Sequence, residues 1–121
     1  MILVDTSVWI DHLHRSGAPA ILPLLEAGEV VTHPFVIGEL ACGDLRNRER
    51  VLRLMAALPV SAVATDSEAM ALIERHRLMG RGLGWIDVHL LASALLSGTR
   101  IWSRDKHLAG TAEKLNVRFD G

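Results

Sequence analysis

The chain has 121 residues, half of them hydrophobic, with a mean hydropathy of +0.26 and a net charge of −1. This length predicts one domain over residues 1–121, and the small net charge excludes a global basic field for nucleic-acid binding. A single cysteine excludes an internal disulfide, and we see neither a signal-peptide pattern nor an apolar run of membrane length. We therefore expect a cytoplasmic protein that does not bind membranes.

The chain opens with an apolar run from Met1 to Val4, which is typical of a strand that is covered on both faces. Asp5 and two hydroxyl residues end this run. In a parallel sheet with crossover helices, ligands bind outside the carboxyl ends of the strands. Asp5 would therefore stand at a functional edge if the strand is central, whereas in the plainer interpretation Asp5 or Thr6 only caps the next helix.

Four more strands are predicted, at about residues 29–32, 60–64, 100–103 and 117–119. Helices are predicted at about residues 7–14, 18–26, 46–58, 67–79, 85–96 and 106–115, with another that begins near residue 34. Ser16-Gly17 is expected to break the first helix, and the segment from Thr65 to Glu68 resembles a capping box that opens the helix at 67–79. Strands that alternate with helices indicate an α/β fold with a parallel sheet and right-handed crossovers. We expect a central five-stranded parallel sheet in the order 3-2-1-4-5, flanked by helices.

Three further acids occupy comparable settings. Glu39 lies among small and apolar residues of a helix, Asp87 falls in the first turn of the most hydrophobic helix, and Asp105 lies two residues past the fourth strand. Each has a plainer interpretation: an exposed glutamate for Glu39 and helix N-terminal acids for the other two. In the expected strand order, however, Asp5 and Asp105 flank the switch point, and Asp87 and Glu39 can reach the same crevice.

Clustered carboxylates need a cation. Two such charges ~5 Å apart repel by about 3 kcal/mol at an effective dielectric constant of ~20. Oxygen-only ligands favour Mg²⁺ or Mn²⁺, and no second cysteine or well-spaced histidine supports zinc; Cys42 is interpreted as a small core residue. Because magnesium held by carboxylates keeps water ligands and attracts phosphate, the acids point toward phosphodiester hydrolysis.

Four segments carry a family resemblance. They are MILVDTSVWID at 1–11, VIGEL at 36–40, GWIDVHLLA at 84–92 and WSRD at 102–105. In order and spacing they make the whole chain resemble a PIN-domain ribonuclease, and more narrowly the VapC toxins of bacterial toxin–antitoxin pairs. The resemblance implies a single PIN-like domain with an acidic quartet, and that quartet maps onto Asp5, Glu39, Asp87 and Asp105.

The resemblance also implies Mg²⁺- or Mn²⁺-dependent endonucleolytic cleavage of RNA. It implies a homodimer, and inhibition by a VapB-type antitoxin that lies in an apolar groove and reaches toward the acids. With the antitoxin, the expected assembly is a heterotetramer or larger.

Each of these residues has an expected role. Asp5 and Asp87 would be direct metal ligands, Asp105 would complete the site or support a second ion, and Glu39 would orient or deprotonate the attacking water. The supporting groups each have a structural alternative. Thr6 and Ser103 would hold metal-bound waters or cap helices, and Arg81 and Arg104 would bind the RNA backbone or remain plain surface charges.

Two other functions remain open from the residues. A receiver-like phosphorylation switch would need a phosphoacceptor such as Asp66 and a lysine after the last strand, and no lysine follows Phe119. A catalytically inactive module that only holds the antitoxin is opposed by the complete set of acids. A dinucleotide-binding enzyme is disfavoured because no G-x-G-x-x-G follows the first strand.

Overall fold

The computed structural model describes residues 1–14 and 20–121. Its elements are, in chain order, β1 (Ile2–Val4), α1 (Thr6–His14), α2 (Leu22–Glu26), β2 (Val30–Val31), α3 (Pro34–Cys42), α4 (Arg48–Ala57), α5 (Asp66–His76), α6 (Trp85–Ser97), β3 (Arg100–Trp102) and α7 (Lys106–Lys114). The expected helix break at residues 16–17 and the expected helix start at residue 18 lie outside the described residues.

The sheet is parallel, with β1 at its centre. Its order is β2-β1-β3, and Leu3 of β1 is in register with Val31 on one side and Ile101 on the other. All three residues of β1 are buried, as expected for a strand that is covered on both faces. The central position of β1 places Asp5 at the carboxyl edge of the sheet, where the chain enters α1.

The expectation of five strands is wrong for the described residues, which form three. The predicted third and fifth strands survive only as the isolated parallel bridges Thr32↔Val60 and Ile101↔Arg118. Those bridges lie beside β2 and β3, where the order 3-2-1-4-5 puts the two strands.

The early start of α3 explains the loss of the third strand. Thr32 N donates to the Pro59 carbonyl and Ser61 N donates to the Thr32 carbonyl, both at 2.8 Å, but Pro34 already begins α3, so the chain after β2 offers no further partners. The N–H groups of Ala62 and Ala64 donate to the hydroxyls of Ser97 and Ser93 on α6, at 2.9 and 3.4 Å. Because Ser61 N donates toward β2, the N–H of the next residue points away from the sheet, and these donors are satisfied by α6 instead. Near the fifth strand, Asn116 adopts a left-handed conformation with φ 60°, which turns the chain immediately before the single bridge.

Local sequence signals fix two helix starts. Thr65 and Glu68 form the predicted capping box: the Thr65 hydroxyl accepts from Glu68 N at 3.1 Å, and the Glu68 carboxylate accepts from Thr65 N at 2.9 Å. Pro34 occupies the first turn of α3, where its missing N–H leaves no bond unmade. The cap of α3 was not predicted: the side chain of His33 accepts a hydrogen bond from Phe35 N at 3.0 Å.

Helix α6 is the main core helix, as its composition predicted. Every residue from Val88 to Ala94 is buried. Cys42, in contrast, is exposed in the last turn of α3, so its assignment to the core is wrong. Among the described residues, no helix is both long and apolar enough to cross a membrane.

Candidate active site

Asp5 is held by two serine hydroxyls. It is 6% exposed, and its Oδ2 atom accepts hydrogen bonds from Ser7 Oγ at 2.7 Å and from Ser103 Oγ at 2.8 Å. Its backbone N–H donates to the Trp102 carbonyl at 2.9 Å, which continues the pairing of β1 with β3. These contacts satisfy one oxygen of a buried carboxylate and leave Oδ1 without a hydrogen bond from the described residues.

The two serines also hold the turn between β3 and α7. Ser7 Oγ accepts from Arg104 N at 2.9 Å, and Ser103 Oγ accepts from Asp105 N at 3.0 Å. Each hydroxyl therefore links Asp5 to a backbone group beside Asp105. The sequence reasoning named Ser103 but missed Ser7, although Ser7 follows Asp5 by two positions and its hydroxyl was a visible signal.

Glu39 is exposed on α3 but not isolated. Its Oε1 atom accepts a hydrogen bond from the hydroxyl of Thr6 at 2.7 Å, which joins α3 to the first residue of α1. Thr6, which was expected to hold a water or cap a helix, thus orients the glutamate in this structure. The Oε2 atom of Glu39 has no hydrogen bond from the described residues.

Asp87 and Asp105 both bond to backbone at helix N-termini, as their plainer interpretation predicted. Asp87 Oδ2 accepts from Gly84 N at 2.9 Å, while Asp105 Oδ1 accepts from His107 N and Leu108 N at 2.9 and 3.0 Å. Asp105 is exposed and Asp87 is half-buried. Helix capping and ligand binding do not exclude each other, since a carboxylate has a second oxygen.

Electrostatics connect the four acids. Burial raises the pKa of Asp87, and the charges of Asp5, Asp105 and Glu39 raise it further, against the opposing effect of the Gly84 N–H bond. The other three carboxylates, which come from three different parts of the chain, therefore all lie within electrostatic reach of Asp87. We call these four residues the acidic quartet.

The quartet is not a closed metal cage. Within residues 1–14 and 20–121, no three His, Cys, Asp or Glu side chains stand together in an arrangement that could hold a metal ion. The donor chemistry nevertheless fits Mg²⁺ or Mn²⁺, because all the donors are hard oxygens and Mg²⁺ usually keeps several waters while binding only one or two carboxylates. Burial is the first cause of the raised pKa of Asp87, and the three like charges add to it; a cation bound there would offset both effects.

The two candidate RNA-binding arginines lie in different surroundings. Arg104 Nη2 is 3.3 Å from Asp11 Oδ2, and its guanidinium carbon lies 5.9 Å from the centroid of the Trp102 ring. Asp11 thus pairs with the turn that carries Asp105. Arg81 is exposed, and its Nε donates to the Arg77 carbonyl at 2.9 Å.

An aromatic cluster around the buried His89 supports the start of α6. His89 is 1% exposed and packs edge-on against Trp85 and Phe35, with ring centroids 4.6 and 4.9 Å apart. His33 packs against the other side of this cluster, with its ring centroid 5.0 Å from that of Phe35. These contacts fix the N-terminal half of α6, and therefore the position of Asp87.

Comparison with known proteins identifies the family. A family model described as the PIN domain matches residues 2–114. "Ribonuclease VapC32" of Mycobacterium tuberculosis, in strains CDC 1551/Oshkosh and ATCC 25618/H37Rv, is 48% identical over 118 residues, which cover 97% of this chain and 94% of each relative. The chain therefore belongs to the PIN-domain family and, within it, to the VapC proteins.

Proposed function

We propose that this chain is a Mg²⁺- or Mn²⁺-dependent endoribonuclease that acts as the toxin of a VapBC-type toxin–antitoxin pair. The observation that carries the proposal is the effect of Asp5, Glu39 and Asp105 on the pKa of Asp87. Three like charges that act on a half-buried Asp87 are costly to maintain unless a cation offsets them. The 48% identity to a protein named as a ribonuclease supports RNA as the substrate.

Asp5, Asp87 and Asp105 would hold the cation. Asp5 Oδ1 is the oxygen that the serines leave open, and Asp87 and Asp105 each have one oxygen that is not used for helix capping. When bound, a divalent cation lowers the pKa of a water and offsets charge on the phosphate oxygens. Ser7 and Ser103 hold the Asp5 carboxylate in one orientation throughout.

Glu39 would act as the general base. Thr6 occupies its Oε1 atom, so Oε2 is the position that accepts a proton from the attacking water. The water oxygen then forms a bond to phosphorus, the phosphorus–oxygen bond opposite to it breaks, and the leaving oxygen takes a proton from solvent. Exposure of Glu39 favours this role because the accepted proton can pass directly to solvent.

A VapB-type antitoxin and a homodimer are part of the proposal, with a heterotetramer or larger as the inhibited form. Support comes from the name of the relative and from exposed apolar side chains, such as Leu54 at 60% and Leu96 at 53%. The receiver-like alternative loses support because the family is PIN and because Asp66 begins α5 instead of following a strand.

One assay tests the catalytic proposal. The purified chain, free of partner, should cut structured RNA with Mn²⁺ and not with EDTA. The Asp5→Asn variant should lose at least about 100-fold in cleavage while keeping its unfolding midpoint, because Asn keeps the shape but not the charge that binds a cation. Asp120→Asn, which alters an exposed acid outside the quartet, should cut like the wild type.

Two results would defeat the assignment. One is undiminished cleavage by a clean Asp5→Asn preparation. The other is a wild-type chain that binds antitoxin but cuts no RNA with Mn²⁺, which would leave the inactive binding module as the better description.

A further inference from the structure

We propose that a basic cleft between α7 and the loop before α6 binds the backbone phosphates of the RNA strand that flank the bond to be cut. The cleft has a volume of about 360 Å³ and is lined by Arg81, Lys106, His107, Gly110, Thr111 and Lys114. None of these lining residues is acidic, although the chain as a whole carries a net charge of −1. This inference rests on the proposed function and adds to it the surface along which the RNA strand would lie.

The spacing on α7 suits an extended polyanion. Lys106, Gly110 and Lys114 are four residues apart, so they lie on one face of the helix, and eight residues correspond to ~12 Å along its axis. The opposite face, which includes Leu108 and Ala112, is buried in the core. Two cations in a line along an exposed face match phosphates in a line along a strand.

Gly110 leaves the space between the two lysines open. A side chain carbon built at Gly110 would meet nothing within 4 Å, so packing does not require glycine there. Glycine inside a helix is less stable than alanine by about 1 kcal/mol. A missing side chain with no structural reason is consistent with close approach of a ligand to the helix backbone.

Arg81 forms the opposite wall of the cleft. Its Nε donates a hydrogen bond to the Arg77 carbonyl, whereas its two Nη nitrogens form no hydrogen bond or ion pair with the described residues. Gly82 holds this wall against α7, since a side chain carbon on Gly82, whose φ is +76°, would lie 2.9 Å from His107 Cγ. Across residues 1–14 and 20–121, Lys106 and Lys114 likewise form no ion pair, in contrast to Arg104 and Arg118.

The cleft adjoins the acidic quartet through the chain itself. Asp105 is the residue before Lys106, and Gly84, whose N–H binds Asp87, follows Arg81 by three residues. An RNA phosphate at the quartet would therefore place its neighbours along α7. Nucleic-acid backbone contacts position a substrate without reading its bases, which is the role we infer for these cations.

The test compares two double variants with equal loss of charge. Lys106→Gln with Lys114→Gln removes the cleft cations, and Arg50→Gln with Arg53→Gln removes two exposed cations of α4 as the control. Both are placed in the Asp5→Asn background, and binding of a fluorescent single-stranded RNA of mixed sequence is measured over a range of NaCl concentrations. Urea unfolding of each protein verifies the fold.

The cleft variant should bind more weakly, and the slope of log affinity against log salt should fall by about 1.4, which is two contacts at ~0.7 each. With Asp5 restored, its KM should rise about 10-fold with kcat nearly unchanged, because the phosphate contacts are equal in ground and transition states. Equal slopes for the cleft and control variants would overturn the proposal. So would tighter binding of polyglutamate than of RNA to the cleft, which would make an acidic protein segment the occupant.

These outcomes separate the two proposals. A wild type that cleaves RNA, together with a cleft variant of unchanged slope and KM, defeats only the cleft. A wild type that binds RNA through the cleft but cleaves none defeats the catalytic proposal and supports the cleft.

Discussion

Two serine hydroxyls decide how the first acid is presented. Ser7 and Ser103 both donate to Asp5 Oδ2, and their oxygens lie 3.4 Å apart. Each also accepts a backbone N–H from the turn that carries Asp105. The serines therefore couple the orientation of one carboxylate to the backbone that positions another, which makes them positioning residues.

Removing one hydroxyl should weaken cation binding more than it weakens the fold. In Ser7→Ala, the Asp5 carboxylate loses one of its two donors and Arg104 N loses its acceptor. The Mn²⁺ concentration for half-maximal cleavage should rise about 10-fold. Ser7→Thr, which keeps the hydroxyl, should restore most of the loss, and a Mn²⁺ requirement unchanged in Ser7→Ala would contradict the positioning role.

Asp87 should reduce stability at neutral pH. The pKa of Asp87 is raised, first by burial and then by three like charges. Protonated Asp87 therefore stabilises the fold fully below the ordinary pKa of 3.8, and this stabilisation is lost as the pH rises through the raised pKa. The uncharged Asp87→Asn variant should therefore have a higher urea midpoint than the wild type at neutral pH without divalent ions. Asp120→Asn should not, and a lower midpoint for Asp87→Asn would show that the like charges matter less than the bond to Gly84.

At the scale of elements, α6 joins the start of α3 to the segment before α5. Ser93 is fully buried, and its hydroxyl lies 3.1 Å from His33 Nε2 and accepts from Ala64 N. Because His33 Nδ1 accepts from Phe35 N, its Nε2 carries the proton and donates to Ser93. One hydroxyl on α6 thus connects the start of α3 to the segment that follows the Thr32↔Val60 bridge.

Loss of the Ser93 hydroxyl should destabilise the fold. Ser93→Ala leaves His33 Nε2 and Ala64 N buried without partners, which should lower the free energy of unfolding by about 1–3 kcal/mol. Ser67→Ala, on the exposed face of α5, should change it by less than about 0.5 kcal/mol. Chemical denaturation at neutral pH measures both, and equal midpoints for the two variants would mean that water replaces the missing hydroxyl.

At the scale of the whole molecule, the fold should lose stability in mild acid. Burial and the nearby charge of His89 lower the pKa of His33 below its ordinary value of 6.5. Neutral His33 therefore contributes stability above pH 6.5 that is lost as the pH falls through the lowered pKa, when the cap on Phe35 N must break. His33→Asn keeps a capping acceptor and does not titrate, so its urea midpoint should change less than that of the wild type between pH about 7.5 and about 5.5. Equal changes would assign the acid sensitivity to other groups.

Cation binding should also stabilise the whole chain. A free cation concentration of 100 times the dissociation constant adds about 2.7 kcal/mol to the free energy of unfolding. Mn²⁺ should therefore raise the melting temperature, and EDTA should reverse the rise. Asp5→Asn should abolish this response, whereas Asp120→Asn should keep it. A response that survives in Asp5→Asn would place the bound ion elsewhere.

Local patterns were sufficient for the order of the elements. The apolar run at β1, the capping box at Thr65 and the composition of α6 each predicted an element that the structure contains, because caps and hydrophobic periods act within a few residues. The placement of Asp5 after a central strand also followed from the sequence, since alternating strands and helices leave few arrangements. The roles of the acidic quartet stay predictions.

Contacts between distant residues were decided only by tertiary structure. Ser103 and Asp5 are 98 positions apart, Ser93 and Ala64 are 29 apart, and neither hydrogen bond has a local signature. The number of strands, the pairing of Arg104 with Asp11 and the exposure of Cys42 depend in the same way on which surfaces meet. A backbone donor takes whichever acceptor packing brings near it, so the sequence determined where elements begin, while the fold decided which polar groups they share.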